Sequence, residues 1–425
     1  MHIEILMQMV NDETKVAVLE DGQLAEFYVE RDVSQRVVGN IYKGIVRNVL
    51  PGMQAAFVDI GLEKNAFLYV MDAASQPKAE LLLHNQENKT ALPNIRDLVK
   101  EGQEVVVQIV KESSGTKGAR ITTQLTIPGR WLVLMPTMDY VAISRRIVNE
   151  TERNRLKDVA QAMKPEGMGL IVRTVAEGAN LEELEKDVEQ LLKIWESIKK
   201  RADNNTSPVL IHKDLELYQR VLRDVFSDEV VRLSVNSRSV HDQVVDFVDT
   251  MEPKLKGKVH VGNIMELFEK YSVHEELTQA LNRKVWLKSG GYLIFDHTEA
   301  LTAIDVNTGK YVGSTNLADT VLKTNLEAAR EIARQLKLRN VGGIIIIDFI
   351  DMQDETHKTK VLDYLQDEFK KDKIRTHILG ITSLGLVEVT RKKVRQSLSS
   401  ALEEICPHCE GKGRIMVDSG IQAVY

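Results

Sequence analysis

The pattern of apolar and polar positions between residues 301 and 352 predicts a strand, a long helix and a second strand. In LTAIDVN, strict alternation places Asp305 and Asn307 on the same face of the first strand. The stretch STNLADTVLKTNLEAAREIARQLKLRN then repeats apolar residues at helical spacing, with Ser314 or Thr315 available as its N-cap. The run IIIIDFID is too short for a membrane span and too rich in β-branched residues for a helix. It therefore predicts a strand that is buried on both faces.

Asp305 and Asp348 stand at the ends of these two strands. A strand, helix and strand in one sheet are nearly always connected right-handedly and run parallel, so both ends emerge at one edge, where open α/β sheets bind ligands. Two carboxylates held together repel each other unless a cation or a shared proton intervenes. Oxygen ligands without a thiol or imidazole favour Mg²⁺ or Mn²⁺ over zinc. The alternative is that each aspartate caps its own turn, but Asn307 and Asp351 nearby favour the metal site.

The remaining pattern predicts a multidomain α+β protein. TKVAVLEDG and QLAEFYVER indicate a hairpin with its turn at Asp21–Gly22. The closely spaced strands and turns of residues 39–125 are typical of a small closed β-barrel of the OB type, with a polar loop inserted between two strands. Residues 128–214 mix strands and helices, and residues 212–278 are mostly helical. VWLKSGGYLIFDH predicts two antiparallel strands joined by a glycine turn.

Two phenylalanines of the predicted barrel are candidates for nucleic-acid contact. Phe57 and Phe67 lie in neighbouring strands beside glycine turns, and Lys117 is among the basic residues around them. Aromatic faces that stack on bases, together with lysines that contact phosphates, make a surface for single-stranded nucleic acid. The alternative, that both phenylalanines belong to the barrel core, is about equally compatible with the sequence.

Composition narrows the class of protein without revealing a partner. The chain has 425 residues and a formal net charge of −6, which argues against a wholly basic nucleic-acid-binding body. It contains no transmembrane segment and no signal peptide pattern, and its two cysteines form a CPHC pair, so a cytoplasmic location is expected. The histidines form no recognisable nucleophile arrangement with Ser or Cys, and His297 and His377 are given no role.

Several long blocks together resemble the ribonuclease E/G family, most closely its G-like members. The barrel segment NIYKGIVRNVLPGMQAAFVDIG with AFLYV resembles the RNA-binding domain of that family. The blocks WLVLMP, ISRRI, GLIVRT, EALTAIDVNTG, TNLEAAREIARQL, GGIIIIDFIDM and CPHCEGKG follow in the family's order. The resemblance covers essentially the whole chain, and blocks of this length are jointly specific. Because the sequence given contains no arginine- and proline-rich tail of the E kind, we expect either a G-like member or the catalytic half of a longer protein.

The resemblance implies a set of domains along the chain. We expect a structural RNase H-like domain, an OB-fold RNA-binding domain, a 5′-sensor domain, a DNase I-like catalytic domain and a zinc link. In that order they comprise residues 1–35 with 215–278, 36–127, 128–214, 279–400 and 401–425.

The resemblance also assigns roles to individual residues. Asp305 and Asp348 would hold the catalytic Mg²⁺, and Asn307 would orient Asp305 or contact the scissile phosphate. The residues expected to contact RNA are Phe57, Phe67, Lys117, Arg145 and Arg375, with Arg375 near the metal. By residue type alone, Arg375 is an ordinary solvated charge.

A further implied site reads the 5′ end of the RNA. An arginine fork and a hydroxyl at Arg173 and Thr174 suit a phosphate monoester, although a surface cap is the simpler interpretation of these two residues alone. The resemblance implies that they sense a 5′-monophosphate, with Gly129 and Val133 supporting the pocket through backbone contacts.

Cys406 and Cys409 predict an intersubunit metal site. A structural zinc ion takes about four ligands, and this pair supplies two, while His408 lies inside the knuckle and cannot easily complete the set. We therefore expect two chains to share one Zn²⁺ and form a homodimer, as the resemblance also implies. A redox CxxC is the alternative. The small domain that pairs dimers into tetramers in the family would lie beyond Tyr425, so a tetramer is not expected, whether the protein is naturally short or the sequence is part of a longer one.

The expected activity is that of a Mg²⁺-dependent, single-strand-specific endoribonuclease of rRNA processing and mRNA decay. It would be stimulated by a 5′-monophosphate and would leave 5′-phosphate and 3′-hydroxyl ends. The competing function is a non-catalytic RNA-binding regulator in which the acidic edge binds a structural metal ion. A DNA phosphoesterase is a third possibility.

Overall fold

A computed structural model of the chain describes residues 2–31, 37–74, 93–113, 117–309, 317–411 and 413. The strands are β1 Ile3–Val10, β2 Glu13–Glu20, β3 Gln23–Arg31, β4 Ile41–Leu50, β5 Ala55–Asp59, β6 Ala66–Tyr69, β7 Glu104–Lys111, β8 Arg120–Thr122, β9 Ile127–Pro128, β10 Leu132–Met135, β11 Val141–Ile143, β12 Gly169–Val172, β13 Val209–His212, β14 Val230–Val235, β15 Val259–Val261, β16 Lys284–Trp286, β17 Tyr292–His297, β18 Leu301–Asn307, β19 Gly343–Asp348, β20 Thr376–Ile381 and β21 Val387–Arg391.

The helices are α1 Val70–Ala73, α2 Ile95–Leu98, α3 Glu150–Met163, α4 Leu181–Asn204, α5 Leu217–Asp224, α6 Arg238–Met251, α7 Ile264–Lys270, α8 Val273–Leu281, α9 Leu317–Leu338, α10 Glu355–Lys370 and α11 Leu398–Leu402. Short 3₁₀ turns occur at Pro51–Met53, Thr174–Ala176 and Pro253–Lys258. Within the described ranges, every helix falls short of the length or the apolarity that crossing a bilayer requires. The caps predicted for α9, Ser314 and Thr315, lie outside the described residues.

The chain divides into two compact units. The first comprises Met1–Arg31, Ser227–Asp249 and Lys254–Tyr425, and the second comprises Asp32–Phe226 and Thr250–Pro253. The mixture of sheets and helices in both units confirms the predicted α+β class.

One sheet of the first unit joins the N-terminal strands to a later segment. Its strand order is β15-β14-β1-β2-β3, with β1 parallel to β14 and antiparallel to β2. The predicted hairpin between β2 and β3 is present, and its turn residues Asp21 and Gly22 have φ values of 50° and 78°. Positive φ at both central positions is what a two-residue hairpin turn requires, which explains the Asp-Gly sequence.

The other sheet of the first unit, here called the β16–β21 sheet, contains the predicted strand, helix and strand. Its order is β16-β17-β18-β19-β21-β20, and β18 and β19 are parallel neighbours as predicted. Ile304 and Ile345 face a core that also includes Ile332 of α9 and Leu365 of α10. The helices thus build one hydrophobic layer against one face of the sheet.

The opposite face of the β16–β21 sheet is here called the open face. Its exposure differs from the prediction for β19. Strand β19 was expected to be buried on both faces, but Ile344 is 51% exposed while Ile345 and Ile347 are fully buried. The strand is therefore buried on one face only. The physical reason is that most of the sheet is antiparallel, and antiparallel sheets commonly leave one face to solvent.

The second unit contains the predicted barrel and a smaller sheet. Strands β4, β5, β6, β8 and β7 close on each other through the β4–β7 pairing, and β13 adds to β4, in agreement with an OB-like fold. The smaller sheet has the order β11-β12-β10-β9 and packs against α3 and α4. A capping box between Asn180 and Glu183 starts α4 and satisfies two backbone N–H groups at its end.

Candidate active site

Asp305 and Asp348 are register partners at the ends of the parallel strands β18 and β19. Both side chains project from the open face, because the residues that alternate with them, Ile304 and Ile347, face the core. Both aspartates are exposed. The sheet thus holds two carboxylates side by side near the C-terminal ends of two inner strands. They are called the carboxylate pair below.

Asn307 orients one member of the carboxylate pair. Its Nδ2 donates a hydrogen bond to Oδ2 of Asp305 at 2.8 Å, because residues two apart on a strand share a face. An amide donor fixes the carboxylate rotamer without adding a charge that would compete with a cation.

The two carboxylates influence each other electrostatically. Partial burial, followed by the negative charges of Asp305 and Asp351, raises the pKa of Asp348 above its ordinary value. The cost of ionising a carboxylate beside other carboxylates is relieved by a bound cation. The site therefore favours a positively charged ligand.

The backbone that follows Asp348 is held by a buried side-chain amide, that of Asn325, to which no sequence motif assigns a role. Nδ2 of Asn325 on α9 donates to the carbonyl of Ile350 at 2.8 Å, and its Oδ1 accepts the Ile350 N–H at 3.1 Å. Asn325 is fully buried. Its position offers a signal, since it lies four residues after Val321 and three before Ala328, in the apolar stripe of the helix.

The described residues contain no group of three or more His, Cys, Asp or Glu side chains that could hold a metal ion. The carboxylate pair is a two-ligand arrangement. This number suits Mg²⁺, which usually keeps several waters and is bound through one or two carboxylates.

Three residues, His297, His377 and Arg375, lie away from the carboxylate pair. His297 pairs with Thr302, three residues before Asp305 on β18. His377 pairs with Thr390, which pairs with Ile344 near the start of β19. Nε of Arg375 donates to Nε2 of His377. Arg375 therefore lies at the end of the sheet opposite Asp348, although it was expected near the metal.

The barrel displays its two candidate phenylalanines on the outside. Phe57 and Phe67 are register partners on β5 and β6, and their rings meet edge to face with centroids 5.9 Å apart. The barrel core is built instead from their neighbours, including Val58 and Leu68. Lys117 is exposed. The interpretation of these phenylalanines as core residues is wrong, because alternation turns them outward.

A second candidate site lies in the sheet of β9–β12, at the end where β11 and β12 finish. Strands β11 and β12 are parallel, so the residues that follow them emerge together. Ser144 and Thr174 are joined there by a 2.7 Å hydrogen bond between their hydroxyls, and Arg145 beside them is exposed. Arg173 precedes Thr174 at the same edge, so the structure brings Arg145, Arg173 and Thr174 together.

The guanidinium of Arg173 is held on several sides. Its Nη1 donates to the carbonyls of Gly129 and Arg130 at 2.7 and 3.0 Å, and its Nη2 donates to Asp224 at 2.6 Å. Burial would raise the pKa of Asp224, but the hydrogen bonds and charges of Arg223 and Arg173 hold it below its ordinary value. Arg173 is thus a fixed cation with two N–H groups not used in these bonds.

A buried carboxylate shapes the backbone that receives Arg173. Asp187 on α4 accepts hydrogen bonds from the backbone N–H groups of Arg130, Trp131 and Leu132 at 2.8 to 3.1 Å. A Cβ at Gly129 would lie 2.6 Å from the Asp187 oxygens, so only glycine fits that approach. Val133, also predicted to support the pocket, pairs with Pro128 and Ile171 within the sheet and has no such contact with Arg173.

Comparison with known proteins decides the family. The profile of the Ribonuclease E/G family matches residues 126–394. The chain belongs to the ribonuclease E/G family. It is 46% identical over 415 residues to ribonuclease G of Haemophilus influenzae, covering 97% of this chain and 84% of that protein. Ribonuclease G of Escherichia coli (strain K12) is 45% identical over 416 residues, covering 98% and 85%. Ribonuclease E of Nostoc sp. is 40% identical over 414 residues, covering 94% and 58%.

Membership in the ribonuclease E/G family confirms the predicted resemblance and the predicted class of enzyme, an endoribonuclease. The Nostoc protein, which is named ribonuclease E, extends well beyond the matched region, whereas the proteins named ribonuclease G are covered over most of their length.

The cysteine pair of this ribonuclease E/G family member lies in a tight knuckle near the end of the described chain. The Cys406 carbonyl accepts the N–H of Glu410 at 2.8 Å, and the N–H of Gly413 approaches Sγ of Cys409 at 3.3 Å. Both cysteines are free thiols, and Cys406 is exposed. Backbone N–H groups of Cys409 and His408 lower the pKa of the Cys406 thiol. The knuckle therefore favours the thiolate form, which is the form that binds metals.

Proposed function

We propose that this chain is a Mg²⁺-dependent endoribonuclease that cleaves single-stranded RNA at the carboxylate pair. The observation that carries the proposal is the parallel register that sets Asp305 beside Asp348 on the open face. Metal dependence is general in the family. Two carboxylates without a neighbouring thiol or imidazole favour a hard divalent cation of the Mg²⁺ type.

Each side chain at or near the carboxylate pair has a separate role in the proposed reaction. Asp305 and Asp348 would hold Mg²⁺, which supplies Lewis-acid stabilisation and an activated water when bound. Asn307 keeps the Asp305 carboxylate in one orientation. Asn325 fixes the backbone two residues after Asp348. Water adds to phosphorus and the bond to the 3′ oxygen breaks, which leaves a 5′-phosphate and a 3′-hydroxyl.

The outer surface of the barrel would bind the RNA strand. Phe57 and Phe67 present aromatic faces for bases, and exposed Lys117 and Arg145 offer positive charge to phosphates. Arg375 would contact RNA further along the open face. We assign most of the first unit to an RNase H-like and a DNase I-like domain. Residues 32–35, 215–226 and 250–253, which the expected boundaries place in the RNase H-like domain, group with the second unit instead.

The edge formed by Arg173 and Thr174 would bind a 5′-monophosphate. A guanidinium already fixed by Gly129, Arg130 and Asp224 loses little freedom when its remaining N–H groups meet a phosphate. The Thr174 hydroxyl, paired with Ser144, adds a neutral partner for a phosphate oxygen.

A cleavage assay tests the proposed function. A short labelled RNA with a 5′-monophosphate should be cut in Mg²⁺ and left intact in EDTA. The same RNA with a 5′-hydroxyl should be cut more slowly, and the matching DNA should not be cut. A protein that binds the RNA but never cleaves it would instead be the non-catalytic regulator.

We further propose that two chains share one Zn²⁺ through Cys406 and Cys409. The donor set fits, because each chain supplies two free cysteine thiols and a tetrahedral zinc site needs about four ligands. Metal analysis with light scattering should find a dimer with one zinc per two chains, converted to a monomer by Cys406→Ser. One zinc per chain, or a dimer unaffected by Cys406→Ser, would contradict the shared site.

A further inference from the structure

An aromatic and basic cluster lies on the open face at one side of the carboxylate pair. The rings of Trp286 and Tyr292 meet at an angle of 67° with their centroids 5.4 Å apart. Nζ of Lys284 lies 3.9 Å from the Trp286 centroid and 3.7 Å from the Tyr292 centroid. These three residues are called the aromatic cluster below.

The register of the β16–β21 sheet fixes the distance from this cluster to the carboxylate pair. Trp286 on β16 pairs with Tyr292 on β17, and Tyr292 pairs with Asn307 on β18. Asn307 in turn contacts Asp305. Two strand spacings therefore separate the Trp286 backbone from that of Asn307, which is about 10 Å. The aromatic cluster and the carboxylate pair thus share both a face and an end of the sheet.

The core does not explain the aromatic cluster. Val285, Leu287 and Leu293 of the same two strands are buried against the helices, whereas Trp286 is 61% exposed. A cross-strand aromatic pair stabilises a hairpin. Smaller side chains would also stabilise it, without exposing the large apolar surface of a tryptophan to water. The informative feature is a large exposed aromatic surface next to a proposed reaction site.

The charge of the cluster matches a polyanion. The ion pairs within the described part of the chain do not include Lys284, whose ammonium lies over two rings. A lysine at the rim of an aromatic surface can contact a phosphate while the rings stack on a base, which is the usual combination in proteins that bind single-stranded nucleic acid.

We propose that the aromatic cluster is a base-stacking site that binds one nucleotide of the single-stranded RNA beside the carboxylate pair. This inference rests on the proposed function and adds a substrate contact to it. Stacking tolerates every base because each has a π face, so the site would position the strand without selecting its sequence.

Tryptophan fluorescence tests the stacking site directly. An RNA oligonucleotide is titrated into the full chain in buffer without Mg²⁺, where no cleavage is expected and the proposed zinc is kept. Stacking on Trp286 should quench a component of the emission that Trp286→Phe lacks, while Trp131 and Trp195 contribute equally to both proteins. Trp286→Phe should keep most of the affinity, because phenylalanine also stacks.

Affinity of the alanine variant gives a second readout. Trp286→Ala should weaken RNA binding by about 5- to 150-fold, the loss expected for one stacked base. Leu379→Ala is a matched control, because it removes a 65% exposed apolar side chain from another strand of the same sheet. This control should bind RNA as the wild type does. Both variants should unfold near the wild-type temperature.

The outcomes separate this inference from the proposed function. If the wild type cleaves RNA in Mg²⁺ but Trp286→Ala binds RNA with unchanged affinity, the stacking site is overturned and the proposed function stands. If Trp286→Ala instead changes the oligomeric state in light scattering without changing RNA affinity, the cluster is an interface between copies, which also overturns it. A wild type that neither binds nor cleaves RNA contradicts the proposed function itself.

Discussion

The side chain of Asn325 bonds to both backbone polar groups of Ile350, at 2.8 Å to the carbonyl and 3.1 Å from the N–H. Ile350 lies between Asp348 and Asp351, so one buried amide on α9 fixes the course of the chain directly after the carboxylate pair. Helix α9 and the segment that follows β19 are linked in this way at the proposed reaction site.

Asn325→Ala should impair both stability and cleavage. The substitution leaves two backbone groups without partners, which should cost about 1 to 3 kcal/mol of unfolding free energy. It also frees the backbone beside Asp348, and we expect kcat to fall about 10- to 100-fold because small misplacements of catalytic groups are costly. Denaturant unfolding and steady-state kinetics measure the two effects.

The neighbouring Thr324 provides the control for Asn325. Thr324 is also fully buried, but its hydroxyl donates to the Thr320 carbonyl within α9 itself. Thr324→Val should therefore cost about 1 kcal/mol of stability and leave kcat unchanged. A loss of stability without loss of kcat in Asn325→Ala would show that Asn325 serves the fold alone.

The raised pKa of Asp348 predicts a pH-dependent gain in stability on substitution. Because the folded state binds this proton more tightly than the unfolded state, stability falls as pH rises from the unfolded pKa through the raised pKa of Asp348, and the cost is fully present above that raised pKa. Asp348→Asn should therefore raise Tm at pH 7 in EDTA. The gain should vanish below the unfolded pKa of about 3.9.

Asp354 is the matched control, since its shift has the opposite sign. Its bonds to the Thr356 side chain and N–H lower its pKa, and it caps α10. Asp354→Asn should therefore not raise Tm at pH 7. Calorimetry between pH 3 and 7 measures Tm for both variants. An equal gain in Tm for Asp348→Asn and Asp354→Asn would reflect a general reduction of negative charge and contradict the prediction.

Arg173→Ala should abolish the preference for 5′-monophosphorylated RNA. A charge-assisted contact to phosphate is worth about 1.5 to 3 kcal/mol, or about 10- to 100-fold in kcat/KM. Activity on 5′-hydroxyl RNA should be unchanged. Arg155→Ala is the control, because Arg155 lies in the same unit and pairs with Glu152 on α3. Equal losses on both RNAs would assign Arg173 to the fold.

Phe57→Ala and Phe67→Ala should weaken RNA binding without unfolding the barrel. Each removes a half-buried ring on the outside of the barrel, so Kd should rise by the equivalent of about 1 to 3 kcal/mol per stacked base while Tm changes little. Leu68→Ala, one residue from Phe67, should instead cost about 2 to 5 kcal/mol of stability, because Leu68 is fully buried. If Phe67→Ala loses as much stability as Leu68→Ala, Phe67 is part of the barrel core and the prediction is contradicted.

The sequence was sufficient for the carboxylate pair because local rules determine its geometry. Alternation along β18 sets the direction of Asp305 and Asn307, and the parallel strand, helix and strand connection brings Asp348 to the same edge. The structure contains both relationships. Each depends on neighbours in the chain or on a strong rule of handedness.

Other features depend on which elements meet, and periodicity does not determine that. Whether Ile344 is buried depends on a layer that covers the second face of the sheet, and an apolar run alone does not reveal its absence. The position of Arg375 depends on how β20 and β21 pair with β19. The aromatic cluster likewise exists only once β16 and β17 are aligned in register. These features depend on tertiary contacts between elements, which the periodicity of one segment does not determine.

The rate of RNA cleavage by Asp305→Asn and Asp348→Asn in Mg²⁺ tests the central claim most directly. Each substitution would remove a charged ligand of the proposed metal ion, worth about several kcal/mol to the reaction, so cleavage of a 5′-monophosphorylated RNA should fall at least about 100-fold. RNA affinity should change little, and Asp354→Asn should cleave normally. If either variant of the carboxylate pair cleaves at a rate near that of the wild type, the site of cleavage lies elsewhere in the protein.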